Sequence, residues 1–210
     1  MSLSALTKET QAQITPAAGV KALFEGILRF LGHSPDKRIL VEQVSHTATG
    51  QYPFACVLSC IDSRIPTEII FDQGIGDLFN ARVAGNFVND DILGSMEFAC
   101  KLAGAKVIMV LGHTSCGGVK GACDHAELGL LTQMLDKIMP AVDAVKTEPG
   151  VDRSSKNKSF VNEVAEVNVR LNVEAITKRS AVIREMVENG EVSVVGAMSD
   201  VTSGKVSLVD

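Results

Sequence analysis

The amino-acid sequence predicts an α/β fold: a mainly parallel central β-sheet flanked by helices, with an antiparallel edge strand and an N-terminal helical arm. Three observations predict it. Residues 55–60 and 107–112 are largely apolar runs without alternation, which suits parallel strands covered on both faces. Helical periodicity separates these runs from each other and fills much of the C-terminal third. Residues 192–198 and 205–209 are two more strand-like runs, joined around Thr202-Ser203-Gly204, a hairpin signal.

The elements follow in order. Residues 1–13 are polar and are expected to stay disordered until packed. Thr15-Pro16 is a helix start, and Val20, Leu23, Phe24, Ile27 and Leu31 recur at helical spacing before Gly32 ends the pattern. A short helix over 66–71 precedes Gly74 and Gly76, which break the chain before a strand over 78–84. Asn89 to Asp91 offer caps for a helix ending near Gly104. The apolar pattern of 128–139 stops at Pro140. Residues 148–157, rich in Pro, Gly, Ser and charge, form a loop, and one long helix over 159–189 is closed by Gly190. No internal repeat is present. At 210 residues and 46% hydrophobic, the chain can bury one sizeable core. The expected organisation is a single domain over 1–210, with 1–34 as its arm.

Composition narrows the function. A formal net charge of -5 argues against nucleic acid or anionic membrane as a partner. Five cysteines, an odd number without the spacing of a disulfide scaffold, fit a reducing compartment. No N-terminal stretch has the order of a secretory signal and no apolar run reaches membrane-spanning length, so the expected location is the cytoplasm.

Chemistry concentrates in two strings, Cys60-Ile61-Asp62-Ser63-Arg64 and His113-Thr114-Ser115-Cys116. Each ends one of the buried strand runs, and active sites of open α/β sheets lie beyond the carboxyl ends of such strands. Zinc favours tetrahedral nitrogen and sulfur ligation, and a catalytic zinc keeps three protein ligands and an exchangeable position. Cys60, His113 and Cys116 fill the three, with Asp62 as an exchangeable fourth ligand. Gly117, Gly118 and a helical stretch follow Cys116, so its sulfur is expected near a helix N-terminus, which favours thiolate. Cys56, Cys100 and Cys123 read as small buried hydrophobes.

These strings, with Phe71-Asp72-Gln73-Gly74 and Gly76-Asp77-Leu78-Phe79-Asn80-Ala81-Arg82 between them, resemble a β-class carbonic anhydrase of the plant-type, open-site branch. The likeness is strong over 51–121 and looser to the C-terminus. It implies one zinc per subunit on Cys60, His113 and Cys116, and Asp62 and Arg64 as a catalytic pair. The implied reaction is reversible hydration of carbon dioxide to bicarbonate and a proton, by a zinc-bound hydroxide that the pair orients. Asp62 on the metal would shut the site; Asp62 held by Arg64 through a charge-assisted bidentate pair would open it. Carried over from plant-type members, Gln51, Phe79, Ala84 and Phe98 would bind substrate, Phe98 standing where several relatives have a tyrosine. The allosteric branch carries Trp-x-Gly before its first cysteine. Here Val57-Leu58-Ser59 stand there and the chain has no tryptophan, which implies the open form.

The resemblance also implies a homodimer or homotetramer with active sites at the subunit boundary, protecting the sheet edge. The first long helix would then lie across a neighbour, where otherwise it covers its own sheet. His33, His46 and His125 are candidate proton carriers by elimination. Two alternatives stand beside the anhydrase: a same-fold hydrolase of carbonyl sulfide or carbon disulfide, and a non-enzymatic zinc or redox module.

Overall fold

The computed structural model describes residues 5–209. They build a five-stranded sheet in the order β2-β1-β3-β4-β5, with β1 Ala55–Ser59, β2 Leu78–Arg82, β3 Val107–His113, β4 Ser193–Ser199 and β5 Val206–Val209. The first four strands are parallel and β5 runs antiparallel to β4, as expected from sequence. Strand limits shift slightly: β1 stops one residue before Cys60, β2 two before Ala84, and β3 includes His113.

Both faces of the two central strands are covered, which explains their unbroken apolar character. Ala55, Val57, Val107, Met109 and Leu111 pack with Leu23 and Ile27 of helix α2 (Pro16–Leu31) and with Phe54 and Phe71. Their alternates Cys56, Leu58, Ile108 and Val110 pack against Val169 and Ile176 of α9 (Lys158–Arg179) and Ile183 of α10 (Ala181–Glu188). The apolar face of α2 thus covers its own sheet. Gly26 permits the close approach, since a Cβ there would lie 1.7 Å from the Phe71 carbonyl oxygen. No helix of the described residues is long and apolar enough to cross a membrane.

Three expectations about helices need correction, and one further helix was not expected. Part of the N-terminal segment expected to be disordered forms α1 (Lys8–Ala12), capped reciprocally by Thr7 and Thr10. It is anchored by buried Gln11, whose Nε2 donates to Pro53 O at 2.7 Å and Ala103 O at 2.8 Å. Residues 1–4 lie outside the described residues. The expected helix over 159–189 is two, because Ser180 turns extended (φ -97°, ψ 109°) and accepts the Ile183 N–H to start α10. The pattern of 128–139 ends earlier, at Leu135 of α7 (Gly129–Leu135), and Pro140 sits in the first turn of α8 (Met139–Ala144). Proline is tolerated there because that N–H has no helical partner. Helix α3 (Leu40–Thr47) was not expected; its N-cap, Ile39, makes no side-chain cap, and Ile39, Leu40, Val41 and Val44 are exposed.

The short helix around 66–71 is α4 (Thr67–Ile70). The helix after Asn89 is α5 (Asp90–Glu97), capped by Asn89 and continued by a π-helical turn over Phe98–Leu102. Behind α2, a buried carboxylate ties three segments together. Asp72 accepts from Arg29 Nε, from Arg38 Nη1 at 2.7 Å and from the Asp36 N–H at 3.1 Å. Burial alone would raise the Asp72 carboxyl, but Arg29, the Asp36 N–H and Arg38 outweigh it and hold it below the ordinary carboxylate range.

A depressed carboxylate stabilises the fold above its unfolded pKa, about 3.9, and that stabilisation is lost as pH falls through the folded value. Asp72→Asn should therefore be less stable than the unaltered chain at pH 7, and the gap should narrow at pH 3. Urea unfolding at both pH values checks this; an unchanged gap would assign the network's effect to shape instead of charge.

Candidate active site

Parallel pairing sets Ser59 of β1 beside Leu111 of β3. Cys60, one residue beyond β1, and His113, the last residue of β3, therefore emerge at the same carboxyl edge. Thr114 ties the next turn to β4, donating its N–H to Ser199 O at 2.9 Å and accepting the Val201 N–H at 3.1 Å on Oγ1. Ser115 then takes a left-handed backbone (φ 57°), and Cys116 becomes the N-cap of α6 (Gly117–Cys123), the helix start expected from sequence.

The donor atoms of Cys60, His113 and Cys116 lie within 4.8 Å of one another, and all three residues are buried. The sulfurs are 3.9 Å apart; tetrahedral zinc with zinc–sulfur bonds of about 2.3 Å spans roughly 3.8 Å between sulfurs. His113 Nδ1 lies 3.0 Å from Thr114 O. Donation there leaves the lone pair on Nε2, which is buried without a hydrogen-bond partner. A buried imidazole nitrogen without a partner, facing two sulfurs, fits a metal ligand whose tautomer is set by the bond on its other side.

The electrostatics agree. The Cys60 thiol is pulled well below the ordinary thiol range by the hydrogen bond from Cys116, with His113 and the Gly85 N–H adding to it. That same hydrogen bond, then burial and the charge on Cys60, push the Cys116 thiol up. Both sulfurs can be thiolates together only with a cation between them. The other three cysteines are free and buried, with thiols pushed up by burial, to about 12 for Cys56 and Cys100 and about 11 for Cys123. They stay neutral, as small hydrophobes should.

Asp62 is paired with Arg64 at the border of this triangle. Arg64 donates from Nε to Oδ1 at 2.9 Å and from Nη2 to Oδ2 at 2.7 Å, and its backbone N–H reaches Oδ1 at 2.9 Å. Those bonds hold the Asp62 carboxyl far below the ordinary carboxylate range. Asp62 Oδ2 still lies 3.8 Å from His113 Nε2, so the carboxylate borders the cradle.

Supporting groups went unassigned in the sequence. Arg82 donates to Cys60 O at 2.9 Å and Asp62 O at 2.7 Å, bracing the loop that carries both. The Gly85 N–H reaches Cys60 Sγ at 3.4 Å, and its carbonyl accepts from Asn168 Nδ2 at 2.8 Å. Asn172 in turn donates to Asn168 Oδ1 at 3.1 Å and accepts the Val88 N–H at 2.7 Å. The available signal was two buried asparagines, four apart, interrupting the apolar face of α9.

Of the expected substrate residues, only Ala84 adjoins the cradle, next to Gly85. Gln51 precedes β1, at the opposite end of that strand from Cys60, beside Gly50, Ile75 and Gly76. Phe79 pairs with Cys56 in the β1–β2 register, four residues or roughly 13 Å of strand from Cys60. Phe79 and Phe98 meet edge to face at 6.1 Å between centroids, lining a surface cavity of about 550 Å³ with Cys56 and Gly94. His33, His46 and His125 lie outside the donor cluster.

A family model described as carbonic anhydrase matches residues 55–206. Carbonic anhydrase 2 of Mycobacterium tuberculosis is 34% identical over 201 residues, covering 93% of each chain. Among solved structures, the β-carbonic anhydrase CafA of Aspergillus fumigatus matches with a TM-score of 0.68 at 28% identity, over 92% of this chain and 89% of that one. The tetrameric β-carbonic anhydrases of Sordaria macrospora share the fold, with a TM-score of 0.68 at 23% identity, over 90% of this chain and 96% of that one.

Asn168→Ala should lower unfolding free energy by about 2 kcal/mol, because it leaves the buried Gly85 carbonyl without its partner. Urea unfolding reads this as a lower midpoint at unchanged slope; an unmoved midpoint would contradict the bracing role.

Proposed function

The chain belongs to the β-class carbonic anhydrases, and from that premise we propose that it catalyses reversible hydration of carbon dioxide to bicarbonate and a proton, with one zinc ion per subunit. The carrying observation is the buried Cys60–His113–Cys116 triangle bordered by the Asp62–Arg64 pair. Two sulfurs and an imidazole form a donor set suited to zinc. When bound, such an ion supplies a Lewis acid that makes a hydroxide nucleophile available near neutral pH.

The protein groups do the rest. Asp62, held ionised by Arg64, is an acceptor-only carboxylate at the edge of the cradle. It can accept a hydrogen bond from the attacking water species and orient its lone pair toward the carbon of carbon dioxide. A carboxyl held so far below the ordinary range does not retain the released proton, which must pass to solvent or buffer. Because Arg64 occupies both Asp62 oxygens, the carboxylate stays off the metal and the site is open. Arg82 keeps Cys60 and Asp62 in fixed relation through their carbonyls.

Gln51, Phe79, Ala84 and Phe98 are proposed as the substrate slot. Ala84 serves the site of its own chain. Gln51 before β1, Phe79 on β2 and Phe98 in the π-helical turn lie too far from it to serve it and would reach a neighbouring subunit's site, as a homodimer or homotetramer allows. The exposed β5 edge gives a second reason for assembly. Five free cysteines support a reducing, cytoplasmic setting. The Asp62–Arg64 pair speaks against a purely structural zinc or redox module, which needs no such carboxylate.

Asp62→Asn should retain zinc by elemental analysis and lose at least about a hundredfold in carbon dioxide hydration by stopped flow, while His113→Ala should lose the zinc. Wild-type turnover in Asp62→Asn would overturn the role of the pair. A zinc-loaded unaltered chain inert to carbon dioxide but active on carbonyl sulfide or carbon disulfide would redirect the substrate.

A further inference from the structure

Ser115 separates the two ligands of the second string. Its neighbour Thr114 is anchored by its N–H to Ser199 of β4 and by its hydroxyl to Val201 in the turn beyond, and His113 is locked to the Thr114 carbonyl. Cys116 opens a helix. The direction of the Cys116 sulfur therefore depends on the backbone of Ser115, which is left-handed at φ 57°. For a residue other than glycine, that conformation is strained and persists only where surrounding contacts enforce it. The enforcing contact is on α9: Asn162 Oδ1 accepts the Ser115 N–H at 2.9 Å. Asn162 is half-buried and lines a surface groove with Thr114, Met198 and Asp200, so its exchange opens no deep cavity.

We propose that Asn162 is a positioning residue for the metal cradle: by accepting the Ser115 N–H it holds that backbone left-handed and aims the Cys116 sulfur at the point shared with Cys60 and His113. The inference rests on the reading of those three residues as zinc ligands. It differs from the support of Cys60, which reaches that sulfur through Gly85 and Asn168. Two asparagines six residues apart on α9, about 9 Å along its axis, thus serve the two cysteine ligands from one helix.

The role requires an acceptor at that position and nothing more. Asn162→Asp presents the same oxygen as a charged acceptor, whereas Asn162→Leu keeps the shape and removes it. The test is the rate at which zinc-loaded full-length protein yields its metal to a chromogenic chelator. Asn162→Leu should release zinc at least about tenfold faster than the unaltered chain, within the range for loss of a group orienting a ligand; Asn162→Asp should release it near the unaltered rate. Ser115→Gly, added to Asn162→Leu, should slow release again, since glycine takes the left-handed backbone without the penalty. Cobalt-loaded Asn162→Leu should show weaker sulfur-to-cobalt absorption per metal than the Asp variant, a signature that general loosening of α9 would not divide between them.

Release from Asn162→Leu at the unaltered rate, or equally fast release from the Leu and Asp variants, would overturn the positioning role while leaving the zinc site standing. Should Asn162→Leu fold poorly, the Asp variant decides with Ser115→Gly alone, because both should hold zinc and its cobalt absorption as the unaltered chain does. Loss in either would overturn the inference. An unaltered chain that takes up no zinc would overturn the ligand assignment and this inference with it.

Discussion

Ser59 lies beside Leu111 in the β1–β3 register, and this parallel pairing delivers a cysteine and a histidine, far apart in sequence, to one buried corner. The pairing is held by side chains on both faces, with α2 covering one and α9 and α10 the other. A slip of one residue would turn every buried side chain of β1 to the opposite face and carry Cys60 away from His113. The packing of the two central strands and the chemistry at their ends are thus one constraint.

That corner is an awkward place for charge. Cys60 and Cys116 belong to an apolar cluster with Phe87, Val119, Ile138 and Phe160, where thiolates are costly unless paired. The surrounding groups answer this in layers. A cation fits the three converging donors, the Gly85 N–H faces Cys60, and α9 steadies both loops. Asp62 stands at the margin, its charge held by an arginine that is itself half-exposed. The neutral thiols elsewhere need none of this and have none.

Much of the arrangement was legible in the sequence because it is local. Continuous apolar runs marked the buried strands, and metal-ligating residue types at their ends marked the corner where Cys60, His113 and Cys116 converge. Features that depend on a single distant contact were not legible. The break at Ser180 lies in a run of good helix formers, and only the backbone there reveals that its hydroxyl caps a new helix. Helix α1 depends on Gln11 finding two carbonyls near residues 53 and 103, which no local pattern reports. Arg82 stood in a quoted motif without a role, since its partners are carbonyls of another loop. Asn162, Asn168 and Asn172 read as polar positions of a surface helix until α9 is laid across the sheet. The proposed substrate slot rests on the resemblance alone, because one chain leaves Gln51 and the two phenylalanines far from the cradle.

In the proposed site Arg64 holds Asp62 off the metal position formed by Cys60, His113 and Cys116, leaving it open near neutral pH. Stopped-flow carbon dioxide hydration by zinc-quantified protein, followed from neutral to mildly alkaline pH, tests this most directly. Turnover should already be present at neutral pH and rise smoothly through one ionisation. Silence at neutral pH followed by a steep onset in alkali would mean that Asp62 closes the site, and would contradict the proposal.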